Sequence, residues 1–261
     1  MAVLPQRAPE PRFVLASDGV RLATYDEGDA EAPAVLAVHG FASSAAANWW
    51  ATGWARDLVR AGHRVLALDQ RGHGASSTPR DAGAYSMDQL VDDVRTVLDT
   101  YLLDGIDYIG YSLGARVGWQ VAVRLPHLVG RAMLGGIPDG DALASFRGDE
   151  ALAFARGGPP VEHPLTRAYI EMAAGIPGND LEALIALVDG LHDAPRPDPA
   201  DPPRQPVLFA TGSDDPILPA SQRLAAATPG SDFFVIPGRN HFNAPPSRPF
   251  RDRAIAFLAD G

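Results

Sequence analysis

The tightest constraint on how this chain can fold lies in seven residues, Ile109-Gly110-Tyr111-Ser112-Leu113-Gly114-Ala115. A short apolar run, Ile106 to Ile109, leads into them, and a helical stretch, Arg116 to Arg124, follows. Strand, Gly-x-Ser-x-Gly, helix is the setting of a nucleophile elbow, a turn so sharp that the serine Oγ stands clear of the sheet. Glycines on both sides lack a Cβ and let strand and helix close around the serine. The five-residue pattern alone fits equally well a strand-to-helix loop whose glycines only permit close packing. The remaining chain has to decide.

Its order points to an α/β layered fold. Arg12 to Asp18 and Val20 to Asp26 read as two strands joined at Asp18-Gly19. Ala34 to Val38 and Val65 to Leu68 are continuous apolar runs of the kind found in buried parallel strands. Trp49 to Ala61 reads as one helix with Trp50, Trp54, Leu58 and Val59 facing the sheet. Ser86-Met87-Asp88-Gln89 is a capping box, opening an amphipathic helix that carries Leu90, Val94, Val97 and Tyr101 on one face. The Ser112 strand and helix come next, then Val129 to Leu134 as a strand. Alternation of this kind implies parallel strands with right-handed crossovers. From Ile137 to Arg204 no strand is evident. Helical patches at Asp149–Arg156, Leu165–Ala174 and Leu181–Leu191 are separated by Gly- and Pro-rich joints, ending in a proline-dense return. We expect residues 137–204 to be an inserted helical cap on a core formed by 1–136 and 205–261. The core pattern resumes with strands Val207–Ala210 and Phe233–Ile236 and helices near Ala220–Ala227 and Phe250–Leu258.

Composition removes several chemistries. The chain has no cysteine, hence no disulfide, thiol nucleophile or thiolate metal site. All 22 basic residues are arginine, so no Schiff base, P-loop lysine or Ser-Lys dyad can be built. A net charge of −10 argues against nucleic acid or an anionic membrane as partner. No apolar run approaches the ~18 residues of a membrane span. The segment Met1 to Arg12, with three prolines and no apolar core, does not read as a signal peptide, and a cytoplasmic location is expected.

A serine hydroxyl needs a base and an orienting carboxylate before it attacks anything. Strand Val207–Ala210 runs into Thr211-Gly212-Ser213-Asp214-Asp215-Pro216, and strand Phe233–Ile236 into Pro237-Gly238-Arg239-Asn240-His241. One helix and one strand fit between Asp215 and His241, which would return both to the sheet edge that carries Ser112. Asp214, and Asp139 after the Val129–Leu134 strand, are rival acids. With His39-Gly40-Phe41, Asp69-x-Arg71-Gly72-His73-Gly74, the Ser112 elbow, and Gly212-x-x-Asp215 followed by His241, four motifs stand in order at strand ends. On these motifs the chain resembles the α/β-hydrolase family over almost its whole length. The resemblance implies a mostly parallel eight-stranded sheet flanked by helices, and a triad of Ser112, Asp215 and His241. It also implies backbone oxyanion donors at Phe41 and Leu113. The bland role for Phe41 is a core aromatic capping the sheet; Tyr111 reads as either packing or acyl-site contact. Arg71 is expected to pin its own loop through a salt bridge. His39 and His73 read as scaffold. His63, His127, His163 and His192 lack partners at ligand spacing, so neither metal nor cofactor is expected.

The parts imply a serine hydrolase acting on a small-molecule carboxylic ester through an acyl-enzyme. Carbon–carbon bond hydrolase, lactonase and cofactor-free perhydrolase chemistry remain open, as does a non-catalytic ligand receptor. Residues 137–204 carry 12 acidic and 5 basic side chains, a net 12 − 5 = 7 negative charges. Such a surplus disfavours anionic substrates at the entrance and suggests a neutral ester of short to medium acyl length. Oligomeric state is not legible in the sequence.

Overall fold

A computed structural model describes residues 6–259. The first five and last two residues, including the opening of the segment judged not to be a signal peptide, lie outside the described residues. Eight strands form one sheet in the order β1-β2-β4-β3-β5-β6-β7-β8. The hairpin of β1 (Arg12–Leu15) and β2 (Arg21–Glu27) is antiparallel and borders β4 (Arg64–Asp69) in antiparallel register. From β4 onward every pairing is parallel, through β3 (Ala34–Val38), β5 (Ile106–Tyr111), β6 (Val129–Gly135), β7 (Val207–Gly212) and β8 (Ser231–Ile236).

Strand residues alternate between two packed faces, as a period-two chain in a sandwiched sheet must. Leu36, Val38 and Tyr108 pack with Leu90, Val94 and Val97 of α2 (Met87–Thr100) and with α3 (Leu113–Arg124). Val35, Ala37 and Ile109 pack on the other side with the three tryptophans 49, 50 and 54 and with α8 (Arg248–Ala259). The capping box forms as expected: Ser86 Oγ accepts from Gln89 N–H and Gln89 Oε1 accepts from Ser86 N–H.

The sheet reverses its winding between β3 and β5, whose carboxyl ends lie side by side with Val38 paired to Gly110. Crevices at such switch points are where open α/β sheets bind ligands. The same edge carries Tyr111 opposite Gly135 and Gly212 opposite Ile236, so the loops opening at His39, Gln70, Ser112, Gly136, Ser213 and Pro237 leave from one side of the sheet.

One expectation needs correction. Trp49 to Ala61 is not a single helix. A π-helical turn, Ala46–Trp50, is followed by Gly53, whose φ of 84° lies in the left-handed region, and α1 (Trp54–Arg60) starts afresh. The break lets Trp49 and Trp54 meet edge to face at 5.7 Å, both fully buried; a continuous helix holds residues five apart on different faces. Between β6 and β7 lie α4 (Gly148–Ala155), α5 (Pro164–Ala174) and α6 (Leu181–Gly190), with a small apolar cluster of their own built on Ala151, Val161, Ile170 and Ile185. α7 (Leu218–Ala226) connects β7 to β8. No helix among the described residues is long and apolar enough to cross a membrane.

Two buried histidines tie the loop after β3 to the loop after β4. His39 Nε2 accepts from Gln70 N–H at 3.2 Å, so its proton is on Nδ1, which donates to Gly40 O at 2.8 Å. His73 Nε2 accepts from Ala42 N–H at 3.0 Å and its Nδ1–H donates to Arg71 O at 3.1 Å. Burial pushes His39 down to about 4 and His73 down to about 3, the second helped by its neighbour His39. Both rings are therefore neutral, and the 3.8 Å approach of His39 to Asp69 is no ion pair. Arg71 reaches well beyond its own loop. Its guanidinium binds Asp93 on α2 at 2.7 Å through two nitrogens, Asp18 in the β1–β2 turn at 2.7 Å, and Ala84 O.

Two outcomes follow from these contacts. Arg71→Met leaves the Asp93 carboxylate buried without its cation and should lower unfolding free energy by about 3–5 kcal/mol, with Arg71→Met/Asp93→Leu recovering a large part in a urea double-mutant cycle. An additive double mutant would contradict the pairing. Ring NMR should find His39 and His73 untitrated and Nδ1-protonated from pH 8 to 5. Because the unfolded rings take up protons near pH 6.5, these two groups make stability fall as pH drops below that value towards 4. Titration of either ring near 6.5 in the folded protein would contradict this.

Candidate active site

The site grows from the turn between β5 and α3. Ser112 has φ 53° and ψ −113°, a left-handed conformation costly for a residue with a Cβ. Close packing imposes it. A Cβ at Gly114 would stand 2.1 Å from Val38 O, and one at Gly110 would stand 2.4 Å from Gly114 O. Only glycine at both positions lets α3 approach the sheet this closely. Ser112 N–H donates to Gly135 O at 2.8 Å and Tyr108 Oη to Gly114 O at 2.7 Å, so the turn is fastened to β6 and to its own strand.

Asp215 and His241 meet Ser112 from the loops after β7 and β8. His241 Nε2 is 2.9 Å from Ser112 Oγ and His241 Nδ1 is 2.8 Å from Asp215 Oδ2. A buried carboxylate at Nδ1 is an acceptor, so Nδ1 carries the ring proton and the Nε2 lone pair faces the serine hydroxyl. Asp215 is itself held: it is buried, and its Oδ1 accepts from Ile217 N–H at 3.1 Å. The rival acids are engaged elsewhere. Asp214 accepts from Ser213 Oγ on the exposed side of the loop, and Asp139 pairs with Arg223 at 2.7 Å. Tyr111 donates its hydroxyl to His241 O at 2.6 Å, and its ring lies tilted 5.5 Å from the imidazole.

Phe41 and Leu113 both border Ser112 in the same cavity. The N–H of Leu113 opens α3, where no intrahelical acceptor exists. The loop's internal hydrogen bonds run from Ser43 N–H to Gly40 O and from Ala42 N–H to His73, leaving Phe41 N–H outside them. Ala42 sits at φ 58°, a strained non-glycine position beside this peptide.

Two cavities flank Ser112. One of about 60 Å³ runs under α6 between Leu113, Ile137, Leu143, Leu187 and Leu191 towards Arg116. The other, about 290 Å³, opens beside His241, Tyr111, Phe242, Met172 and Asn48. Phe41 and Tyr169 border both. Tyr169 was not singled out in the sequence: its place on α5 gave a helical face but no partner. Burial pushes its hydroxyl up to about 12, so it stays protonated. Arg116, one turn beyond Ser112 and thus on the same helix face, had a readable signal in the spacing. Its guanidinium donates to Ala194 O at 2.9 Å and lies 3.8 Å from Asp141. The chemistry available is proton transfer between Ser112 and His241, at a cavity that Phe41 and Leu113 also border. Among the described residues no group of three or more His, Cys, Asp or Glu is arranged to hold a metal ion.

Comparison with known proteins agrees with this architecture. Residues 33–148 match the family model described as alpha/beta hydrolase fold. A Bacillus subtilis protein with the provisional name 2-succinyl-6-hydroxy-2,4-cyclohexadiene-1-carboxylate synthase is 32% identical over 121 residues, 46% of this chain and 42% of its own length. Epoxide hydrolase B of Mycobacterium tuberculosis is 40% identical over 97 residues, 36% of this chain and 26% of its own. The matched part thus spans less than half the length of these curated relatives. Among solved structures, a hydrolase from Pseudomonas aeruginosa superposes with a TM-score of 0.76 at 23% identity, over 97% of this chain and 99% of that one. With its eight-stranded sheet, its switch-point crevice and these matches, the chain has the α/β-hydrolase fold.

Proposed function

We propose that the protein is a serine hydrolase of neutral carboxylic esters. The observation that carries this reading is the unbroken chain from Ser112 Oγ to His241 Nε2 and from His241 Nδ1 to Asp215, at 2.9 and 2.8 Å. In this reading His241 takes the Ser112 proton as Oγ attacks the ester carbonyl. The N–H groups of Phe41 and Leu113 bind the oxyanion of the tetrahedral intermediate. His241 then passes the proton to the departing alkoxide, leaving an acyl-enzyme. Water, deprotonated by the same imidazole, attacks that acyl group; the acid leaves and Ser112 regains its proton. Asp215 orients the ring and stabilises its charged form.

Likeness to an epoxide hydrolase over part of the chain does not carry that activity here. A serine alkoxide opening an epoxide would form an ether, which water cannot cleave, whereas acyl transfer to serine gives an ester that the same base can hydrolyse.

The flanking cavities support a polarity for the substrate. The leaving group has to lie where His241 can protonate it, on the side of the 290 Å³ cavity bordered by His241. The acyl group then enters the narrower apolar cavity of about 60 Å³ under α6, in keeping with a short to medium chain. Asp141 and the carbonyl groups facing Arg116 offset its charge, which fits a neutral acyl group. In this reading the helices α4–α6 act as a cap over Ser112.

A panel of p-nitrophenyl esters tests the proposal. Acetate to hexanoate should be hydrolysed faster than decanoate. Ser112→Ala should lower kcat by about 10⁴-fold or more and Asp215→Asn by a similar factor, with little change in KM. Undiminished turnover by Ser112→Ala, or binding of the esters without turnover by the wild type, would overturn it.

A further inference from the structure

The loop after β3 receives a hydrogen bond from the helical insertion, beside the packing of Phe41 on Tyr169 of α5. Asn179 precedes the N-cap of α6 and uses both hydrogens of its amide: Nδ2 donates to Ala42 O at 2.9 Å and to Ala173 O, near the end of α5, at 3.1 Å. Both partners are carbonyl oxygens, so the NH₂ side of the amide has to face them.

Three consecutive peptides of the loop lie between the Asn179 contact and the Phe41 N–H. The Ala42–Ser43 peptide receives Asn179 on its carbonyl, and its own N–H donates to Gly40 O at 3.3 Å. Gly40 O also accepts from His39 Nδ1 at 2.8 Å. The other end of that Gly40–Phe41 peptide is the Phe41 N–H. The intervening Phe41–Ala42 peptide is fixed by His73. A peptide whose carbonyl takes two hydrogen bonds is polarised, so its N–H donates more strongly. Its plane also cannot turn without breaking them. Ala42, at φ 58°, is a strained residue that would relax if its neighbours let go.

We propose that Asn179 is a positioning residue for the oxyanion hole: by holding the Ala42 carbonyl it keeps the Phe41 N–H aimed at the reacting oxygen, and it makes that aim depend on the seating of the α5–α6 joint. This rests on the reading of Phe41 N–H as an oxyanion donor. A purely structural role predicts something different, because Arg80 anchors the same joint independently, through Asp180 at 2.9 Å and Glu182 at 3.1 Å, without touching the loop.

The experiment compares wild type, Asn179→Ala and Arg80→Ala in two assays. One is the second-order rate at which an alkyl fluorophosphonate modifies Ser112: Oγ forms the P–O bond, fluoride leaves, the proton passes to His241, and the phosphoryl oxygen occupies the oxyanion hole. The other is kcat and KM on p-nitrophenyl butyrate. Asn179→Ala should slow phosphonylation and kcat by about 10- to 100-fold with KM within about twofold, somewhat less than outright loss of a donor. Arg80→Ala should remain within about twofold of wild type in both. Phosphonylation of Asn179→Ala within twofold of wild type would overturn the proposal, as would an equal loss in Arg80→Ala. Normal phosphonylation without ester turnover would defeat the ester reading alone, and the phosphonylation rates would still decide the role of Asn179. No phosphonylation of the wild type would overturn both.

Discussion

Everything at this site depends on how closely α3 approaches the carboxyl end of the sheet. Gly114 rests against Val38 O with no space for a Cβ, and Gly110 rests against Gly114 O. That contact forces Ser112 into a left-handed conformation and pushes its Oγ out of the sheet edge. Strain of this kind costs of order 1–3 kcal/mol and persists only where the surroundings over-determine it. Here they do, through Ser112 N–H to Gly135 O and Tyr108 Oη to Gly114 O.

The second constraint is the demand that buried polar groups find partners. His39 and His73 are kept neutral by burial, and a neutral imidazole has one donor and one acceptor to place. Each ring uses both to join the loops after β3 and β4. The peptides beside Ser112 are thereby set before any ligand arrives.

Much of this was legible in the sequence because the signals are local. Buried parallel strands such as Ala34–Val38 are unbroken apolar runs, Ser86-x-x-Gln89 names its own helix start, and successive strand ends in an alternating α/β order all point one way. That logic brought Ser112, Asp215 and His241 to one edge from their places after β5, β7 and β8. What was not legible depends on contacts between distant segments. The Trp49–Ala61 stretch has the right spacing for one helix, yet the chain breaks at Gly53 and two tryptophans pack across the break. Arg71 could be read as loop-bound, since nothing in its neighbourhood names Asp18 or Asp93 as partners. Tyr169, Asn179 and the two cavities follow from how α4–α6 settle over the sheet, and helical periodicity supplies a face without its partner.

The central claim is that Ser112, activated by His241 and Asp215, is the atom that accepts the acyl group. Its most direct test is carbamoylation with a p-nitrophenyl dialkylcarbamate, whose product on serine hydrolyses slowly enough to isolate. The account predicts a burst of one equivalent of p-nitrophenol per chain, one carbamoyl group on the peptide containing Ser112 by mass spectrometry, and neither in Ser112→Ala. A carbamoyl group found on another residue, or an equal burst from Ser112→Ala, would contradict it.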